Sequence, residues 1–291
     1  MSHRMHVQEA LQAFLVQLEA DGRSHHTIGQ YRRHVRALAD WLPPETAITA
    51  ITPDAVARFF ASPAAKNTGT GSPKKAVSLN AMRTSIRCFA AHLHDAGLVA
   101  ANPARLLRRA RCTPPAPKAL HADERRRLLD AAAAATGPTA DRDRLLVELL
   151  LGTGIRLGSA IAIDVEDIDF SHGEVRLRST KNDRPVTVVL PRALTVRLQE
   201  FVGGRTAGPL FHRDGMRLSV RHAQRVIARI FAKAGIRGRS AHALRHTFAT
   251  DLLARTGNLR LVQAALNHAS IASTTVYAQV DREGLRRAVG G

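Results

Sequence analysis

Cysteine, aromatic residues and long apolar runs are scarce in this chain of 291 residues. The two cysteines, Cys88 and Cys112, are too few for a disulfide framework or a cysteine-based zinc site, so we expect a cytoplasmic protein. An aromatic content of 4% argues against the base-stacking surfaces of single-strand-binding proteins. The sequence has no run of about 18 apolar residues and no signal-peptide pattern at its start, so we expect no membrane attachment.

Positive charge is what the chain has in excess. Lysine and arginine number 43 against 24 acidic residues, a formal net charge of +19, while the hydrophobic content of 45% is ordinary for a protein with a core. The charge is spread along the whole length rather than concentrated in one amphipathic helix, which disfavours a membrane surface as the partner. We expect the partner to be duplex DNA, held by its phosphates.

A proline-rich segment divides the chain. Residues 111–119 contain three prolines within four positions, a composition that favours an extended spacer. We therefore predict a domain at 1–110, a linker at 111–119 and a second domain at 120–291. Lysine and arginine outnumber acidic residues in both predicted domains, as expected if both contact one DNA duplex.

The first predicted domain has the apolar spacing of helices. Apolar residues repeat with helical period over 7–18 and 28–42, a loop rich in Gly, Ser, Pro and Lys spans 66–75, and a further helix is predicted at about 79–95. Arginines lie on the polar sides of these helices, where they either contact DNA phosphates or form an ordinary solvated face. The candidate DNA-binding residues are Arg32, Arg33, Arg36, Arg83 and Arg87.

The second predicted domain is mainly helical with one small sheet. Residues 174–179 and 186–190 have the composition of two strands joined by a polar turn, which predicts an antiparallel β-hairpin. An apolar helix is predicted at 145–151 and is predicted to stop at Gly152, and Asp123 is predicted to cap an earlier helix. Further helices are predicted at 192–202, 219–234, 242–255, 259–266 and 273–279.

Two arginines, two histidines and one tyrosine carry the functional argument. Arg156 follows the apolar helix, and His242 and Arg245 lie three residues apart, on one face of a helix. His268 precedes Tyr277 by nine residues. Arginine binds phosphate oxygens through its forked donors, histidine transfers protons near neutral pH, and tyrosine can become a covalent nucleophile. These residue types suit a phosphodiester, so we predict an enzyme that cuts and rejoins DNA.

The motifs around these residues resemble those of the tyrosine recombinases, also called the phage integrase family, and especially its Xer-type and transposon or integron members. The resemblance covers nearly the whole chain. It implies a helical core-binding domain of the SAM-like type, then a mixed, mainly α catalytic domain with a small antiparallel sheet, the DNA breaking–rejoining fold. It also implies a site-specific recombinase that needs neither metal nor ATP and acts as a homotetramer on two DNA sites. The resembling segments are 87–103, Thr153–Arg156, His242–Thr250 and Leu266–Tyr277.

The resemblance assigns a chemical role to each residue. Tyr277 becomes the nucleophile, and Arg156 and Arg245 become the phosphate clamp. The two histidines become hydrogen-bonding and proton-handling partners. Lys181 in the hairpin turn becomes the general acid, with Arg184 as a competing cation. The candidate catalytic set is Arg156, Lys181, His242, Arg245, His268 and Tyr277, with no metal ligand.

Two positions depart from the family pattern, and one of them is Asn267, which replaces the glycine that usually precedes the histidine. The other follows the first arginine. Family members usually have an acidic residue three positions after the first arginine. In this chain that position is occupied by Ser159. A hydroxyl can donate or accept a hydrogen bond, but it brings no counter-charge to the arginine. Asp164 and Glu166 are nearby in sequence and are the candidates to compensate.

Other functions stay open at this point. A DNA-binding regulator that keeps the fold without catalysis is one alternative, and Ser159 is its only support. A type IB topoisomerase-like enzyme, which shares much of the chemistry, is another. His242 and His246 are four residues apart and could hold a metal, but the glutamate of a His-Glu-x-x-His helix is absent.

Overall fold

The computed structural model describes residues 5–112, 119–178 and 185–266. The chain divides into two compact units, Met1–Pro114 and Pro115–Gly291, each with its own hydrophobic core. Several predictions fall outside the described residues and are not tested by the structure. They concern Lys181, Arg184, His268, Tyr277, the helix at 273–279 and most of the linker.

The first unit is helical, as predicted. Apolar residues at helical spacing give α1, α2 and α5 one buried face each, and these three helices pack against one another. A hydrogen bond of 2.8 Å between His34 Nδ1 and Ser85 Oγ joins α2 to α5. The helices are α1 (Val7–Ala20), α2 (His25–Trp41), α3 (Pro53–Ala61), α4 (Pro63–Lys66) and α5 (Ala76–Asp95), with a 3-10 turn at Ile48–Ala50.

The short helices α3 and α4 are absent from the sequence-based prediction. The start signal of α3 is nevertheless present, because the Thr52 side chain accepts a hydrogen bond from the Ala55 amide and Pro53 occupies the first turn. Phe59 of α3 is fully buried and lies 5.6 Å from the Trp41 ring, measured between centroids. These helices have nine and four residues, too few for a clear periodic pattern.

The second unit is mainly helical with two small antiparallel sheets, as predicted except for the short helix at Leu157–Ala162, the strand at Ile168–Asp169 and the second sheet. The predicted hairpin is present, with Glu174 opposite Val189 and Leu177 opposite Val186. Its helices are α6 (Ala122–Ala133), α7 (Ala140–Thr153), α8 (Leu157–Ala162), α9 (Arg192–Val202), α10 (Val220–Lys233), α11 (Ala241–Thr256) and α12 (Leu259–Ala265). Its strands are β1 (Ile168–Asp169), β2 (Glu174–Leu177), β3 (Val186–Val189), β4 (His212–Arg213) and β5 (Met216–Arg217), in the sheet orders β1-β2-β3 and β4-β5.

Helix α7 lies at the centre of the second unit and contacts α6, α9 and α11. Its apolar residues are buried on several sides, as expected for a helix enclosed by other elements. Both sequence-based bounds of this helix are wrong, because α7 begins five residues before the predicted start and ends two residues after the predicted end. The last helical residue is Thr153, and Gly154, in the left-handed conformation, caps the helix. The two residues that follow this cap, Ile155 and Arg156, line a cavity.

The start of α6 also differs from the prediction. His121 is the N-cap residue, and its backbone N–H donates to Glu124 Oε2 at 3.0 Å. Asp123 instead lies within the first helical turn, where a negative charge still interacts favourably with the helix dipole. None of the described helices is both long and apolar enough to span a membrane.

Candidate active site

A cavity of about 500 Å³ in the second unit brings three predicted catalytic residues together. The chain leaves α7 at Gly154 and places Arg156 at the N-cap of α8. Helix α11 begins at the same cavity and contributes His242 and Arg245, which its helical spacing puts on one face. The lining residues are Ile155, Arg156, Leu157, Gln224, Ala228, Arg239, Ser240, Ala241, His242 and Arg245.

Gly154 determines how closely α7 and α11 approach. Its φ of +64° is a conformation that residues with a side chain rarely adopt, and a Cβ here would lie 2.8 Å from Cγ of Phe248 on α11. Only glycine satisfies both the backbone angle and the contact with the ring. The left-handed cap therefore sets the path of the chain into Arg156.

We expect Gly154→Ala to destabilise the second unit by about 2–5 kcal/mol. The left-handed backbone costs an alanine roughly 1–2 kcal/mol, and the clash with Phe248 adds about 1–3 kcal/mol. Gly158→Ala is the matched control, since Gly158 lies in α8 with nothing near its missing Cβ. The control is expected to be neutral or stabilised by up to about 1 kcal/mol. Urea unfolding of the two variants measures the difference, and equal stabilities would contradict this account of Gly154.

Arg245 is buried, with 4% of its surface exposed, and its guanidinium joins two parts of the backbone. One terminal nitrogen donates to the Gly154 carbonyl at 2.7 Å, and the other donates to the Leu266 carbonyl at 2.6 Å. These bonds tie the end of α7 to the end of α12, directly before the segment that contains His268. The guanidinium orientation is therefore fixed before any ligand binds.

Arg156 differs from Arg245 in its surroundings. Its side chain is half-buried and lines the cavity. Within the described parts of the chain, its guanidinium has no hydrogen bond or ion pair. Arg156 closely follows the end of α7, where an arginine can also bind the last carbonyls of the helix. In the structure that contact is made by Arg245, so the charge of Arg156 is available to the cavity.

The two histidines of α11 are held in the neutral form. Desolvation, followed by the positive charges of Arg245 and Arg156, lowers the pKa of His242. Desolvation and the neighbouring His242 and Arg245 lower the pKa of His246 to about 4. The two rings meet edge to face, with centroids 4.6 Å apart. A neutral His242 in the cavity can accept a proton or a hydrogen bond near pH 7.

The acidic residues proposed to compensate for Ser159 are engaged elsewhere. Asp164 accepts from Arg178 at 3.1 Å and also pairs with Arg217. Glu166 lies 3.6 Å from Arg178. Ser159 faces a separate cavity of about 320 Å³ that Arg178 and Arg217 also line. Asp164 and Glu166 therefore hold Arg178, which follows β2 at the turn end of the hairpin, and no described contact connects them to Arg156.

The candidate DNA-binding arginines of the first unit do not share one environment. Arg32, Arg33 and Arg36 are exposed on α2. Arg87 is also exposed, and it lines a cavity of about 400 Å³. Arg83 is half-buried, stacks over the Phe60 ring at 5.2 Å and donates to Oδ1 of the Asn80 side chain at 3.2 Å. DNA contact by these five arginines stays a prediction.

Sequence reasoning missed several residues at these sites. Arg239 and Gln224 line the active-site cavity, and Arg105 and Arg109 line the same cavity as Arg87. Arg239 stands only three residues before His242, but it belongs to no recognisable motif. The others come from parts of the chain that only the fold brings together. An arginine in a loop belongs to no periodic pattern, so its position in the sequence does not indicate which site it lines.

Comparison with known proteins decides the family. The phage integrase family matches residues 118–283, more than half of the chain. The chain belongs to this family. The N-terminal SAM-like domain of phage integrases matches residues 11–97, which is the helical first unit. The predicted family and fold class are thereby confirmed, and the protein is a tyrosine-type site-specific recombinase of Xer type.

Individual tyrosine recombinases are similar to this one over nearly its whole length. Tyrosine recombinase XerC of Chromobacterium violaceum is 32% identical over 290 residues, which cover 97% of this chain and 94% of the relative. The crystal structure of XerA recombinase has 25% identity and a TM-score of 0.52, with 97% of each chain covered. A lambda integrase tetramer bound to a Holliday junction has the same fold, with a TM-score of 0.76 at 19% identity, covering 95% of this chain and 78% of that one.

Proposed function

We propose that the cavity between α7, α8, α10 and α11 holds the scissile phosphate of duplex DNA, and that Tyr277 attacks this phosphate. One observation supports the proposal most strongly. Arg156, Arg245 and His242 converge on one cavity, in which Arg156 has no protein counter-ion among the described residues. A half-buried guanidinium without a carboxylate partner suits a phosphate ligand, which supplies both the missing charge and acceptors in matching geometry.

The chemistry follows from the residue types. The hydroxyl oxygen of Tyr277 attacks phosphorus and forms a 3′-phosphotyrosyl bond, while the bond to the 5′ oxygen breaks. Two fixed guanidinium groups stabilise the negative charge that develops on the non-bridging oxygens. Lys181 donates a proton to the departing 5′ oxygen. His268 and the neutral His242 exchange hydrogen bonds and protons at the site. A 5′ hydroxyl of the partner strand then reverses the reaction, so the linkage energy is conserved and no ATP is required.

The assembly extends this chemistry to two DNA sites. The helical first unit and the catalytic unit both carry excess positive charge, so we propose that both contact the duplex, with residues 111–119 passing between them. Four protomers acting on two sites exchange strands through a Holliday junction. A lambda integrase, which shares the fold, forms a tetramer on such a junction. We propose that the reaction takes place in the cytoplasm, on nucleoid DNA.

A nicked suicide substrate tests the proposed cleavage. The nick lets a short 5′ fragment diffuse away, so the covalent protein–DNA complex accumulates and is seen on a denaturing gel. The wild-type protein is expected to form the complex without added metal, and Arg156→Ala is expected to lower its rate of formation by about 10²–10³-fold. Absence of the complex for the wild-type protein on its own site DNA would contradict the proposal and favour a non-catalytic regulator.

A plasmid with two recombination sites distinguishes a recombinase from the other alternative, a type IB topoisomerase-like enzyme. The wild-type protein is expected to produce recombined circles whose sites have exchanged partners. A topoisomerase-like enzyme would instead relax supercoils and leave the order of the two sites unchanged. Restriction mapping of the products distinguishes these results.

A further inference from the structure

Arg239 is a third arginine in the active-site cavity, outside every motif that carries the family resemblance. It lies in the segment between α10 and α11, three residues before His242, and lines the cavity together with Arg156 and Arg245. The N-terminus of α11 opens into the same cavity, and its N-cap Ser240 makes no side-chain capping bond. Three arginine side chains therefore line one cavity, beside the positive end of a helix dipole.

The charge of Arg239 is only partly balanced within the protein. Its terminal nitrogen lies 3.6 Å from Oε2 of Glu124 on α6, and the two side chains are 21% and 20% exposed. The same oxygen accepts the His121 backbone N–H at 3.0 Å, which closes the N-terminal cap of α6. A charge-assisted N–H···O bond is normally about 2.7–2.9 Å long. Glu124 is thus shared with the cap and holds Arg239 loosely.

This arrangement suits more than one phosphate. A single phosphodiester carries one negative charge, and Arg156 and Arg245 are sufficient to clamp it. A third arginine at the same partly buried site adds repulsion between positive charges. A further anion is needed to offset this repulsion. The neighbouring phosphate of the same DNA strand is such an anion, and it accompanies every scissile phosphate that enters the cavity.

We propose that Arg239 binds a non-scissile phosphate next to the scissile one, and that Glu124 holds the guanidinium in the free protein and competes with this phosphate. The proposal rests on the proposed function, in which the cavity holds the scissile phosphate. It adds a substrate-binding residue to the site and gives Glu124 a role in setting the affinity for DNA.

Affinity measurements on a cycle of variants test the competition. Arg239→Ala is expected to weaken binding to site DNA about tenfold and to lower the slope of log affinity against log salt by about one. Glu124→Gln keeps an oxygen for the α6 cap but removes the charge, so it is expected to tighten binding about threefold. The double variant is expected to bind like Arg239→Ala, because Glu124 acts only through Arg239. Arg239→Lys, which keeps the charge, is expected to recover part of the lost affinity.

The ion pair between Asp123 and Arg126 on α6 supplies matched controls. Its atoms lie 3.1 Å apart, and the side chains are 81% and 72% exposed. Neither residue lines the active-site cavity. Arg126→Ala and Asp123→Asn make the same charge changes and measure the effect of net charge alone. The proposal is overturned if Arg239→Ala weakens binding no more than Arg126→Ala, or if Glu124→Gln tightens it no more than Asp123→Asn.

Neutral phosphates locate the contact. DNA with one methylphosphonate next to the scissile position is expected to bind the wild-type protein more weakly, and to bind Arg239→Ala no more weakly than unmodified DNA does. The inference is overturned if Arg239→Ala removes the affinity loss only for a methylphosphonate at the scissile position. It is also overturned if Arg239→Ala removes that loss at no position. Coupling between Arg156→Ala and a methylphosphonate at the scissile position separately tests the proposed function. The two proposals therefore fail on different substrates.

Discussion

The Tyr277→Phe protein is expected to bind site DNA with unchanged affinity and to form no covalent complex with the nicked substrate. Phenylalanine keeps the aromatic ring and loses only the hydroxyl, the atom that we propose attacks phosphorus. A tyrosine hydroxyl has a pKa near 10, so attack near neutral pH needs positively charged surroundings, which we propose that Arg156 and Arg245 provide. The effect is a complete loss of the adduct, because no other group replaces the nucleophile.

Tyr31 provides the control, since it is the other of the two tyrosines in the chain. Its hydroxyl lies 3.7 Å from Sγ of Cys88 in the first unit. Tyr31→Phe is therefore expected to leave adduct formation at the wild-type level. A phosphotyrosyl peptide that maps to Tyr31, or an adduct that persists in Tyr277→Phe, would show that the nucleophile is assigned wrongly.

The Lys181→Ala protein is expected to cleave ordinary DNA about 10²–10⁴-fold more slowly than the wild-type protein. Replacing the bridging 5′ oxygen with sulfur makes a leaving group that hardly needs a proton. Cleavage of the sulfur substrate is therefore expected to be nearly equal in the two proteins. Single-turnover rates on both substrates give the comparison directly.

Two further variants show whether this rescue is specific. Arg156→Ala is expected to stay slow on the sulfur substrate, because its proposed role is to stabilise charge on the non-bridging oxygens. Arg184→Ala is expected to cleave both substrates at nearly the wild-type rate. If sulfur rescues Arg184→Ala and not Lys181→Ala, the acid lies three residues further along the hairpin. If it rescues neither, the proton comes from outside the hairpin.

Local sequence patterns determined the family, the helical character and the identity of the candidate catalytic residues. The spacing of His242 and Arg245 puts both on one helix face whatever surrounds that helix. Alternating residues on either side of a polar turn likewise predict the hairpin of β2 and β3. Both features are set by residues that are close together in the sequence. They can therefore be predicted from a single sequence.

The precise ends of helices depended on contacts that the sequence does not display. Gly152 and Gly154 are equally plausible helix ends by residue type. Gly154 is the end because its backbone adopts the left-handed conformation, with the Phe248 ring of α11 packed against it. The cap of α6 was likewise assigned to Asp123, although His121 begins the helix and Glu124 accepts its N–H.

Tertiary structure alone decided which charges face the active-site cavity. Asp164 was a reasonable candidate to orient Arg156 by its distance along the chain, yet it pairs with Arg178 and Arg217. Arg239 had no motif to mark it and lies in the cavity, opposite a carboxylate 115 positions earlier in the chain, Glu124. Ion pairs form between whichever side chains the packed backbone brings within a few ångströms, so their partners cannot be predicted from sequence distance.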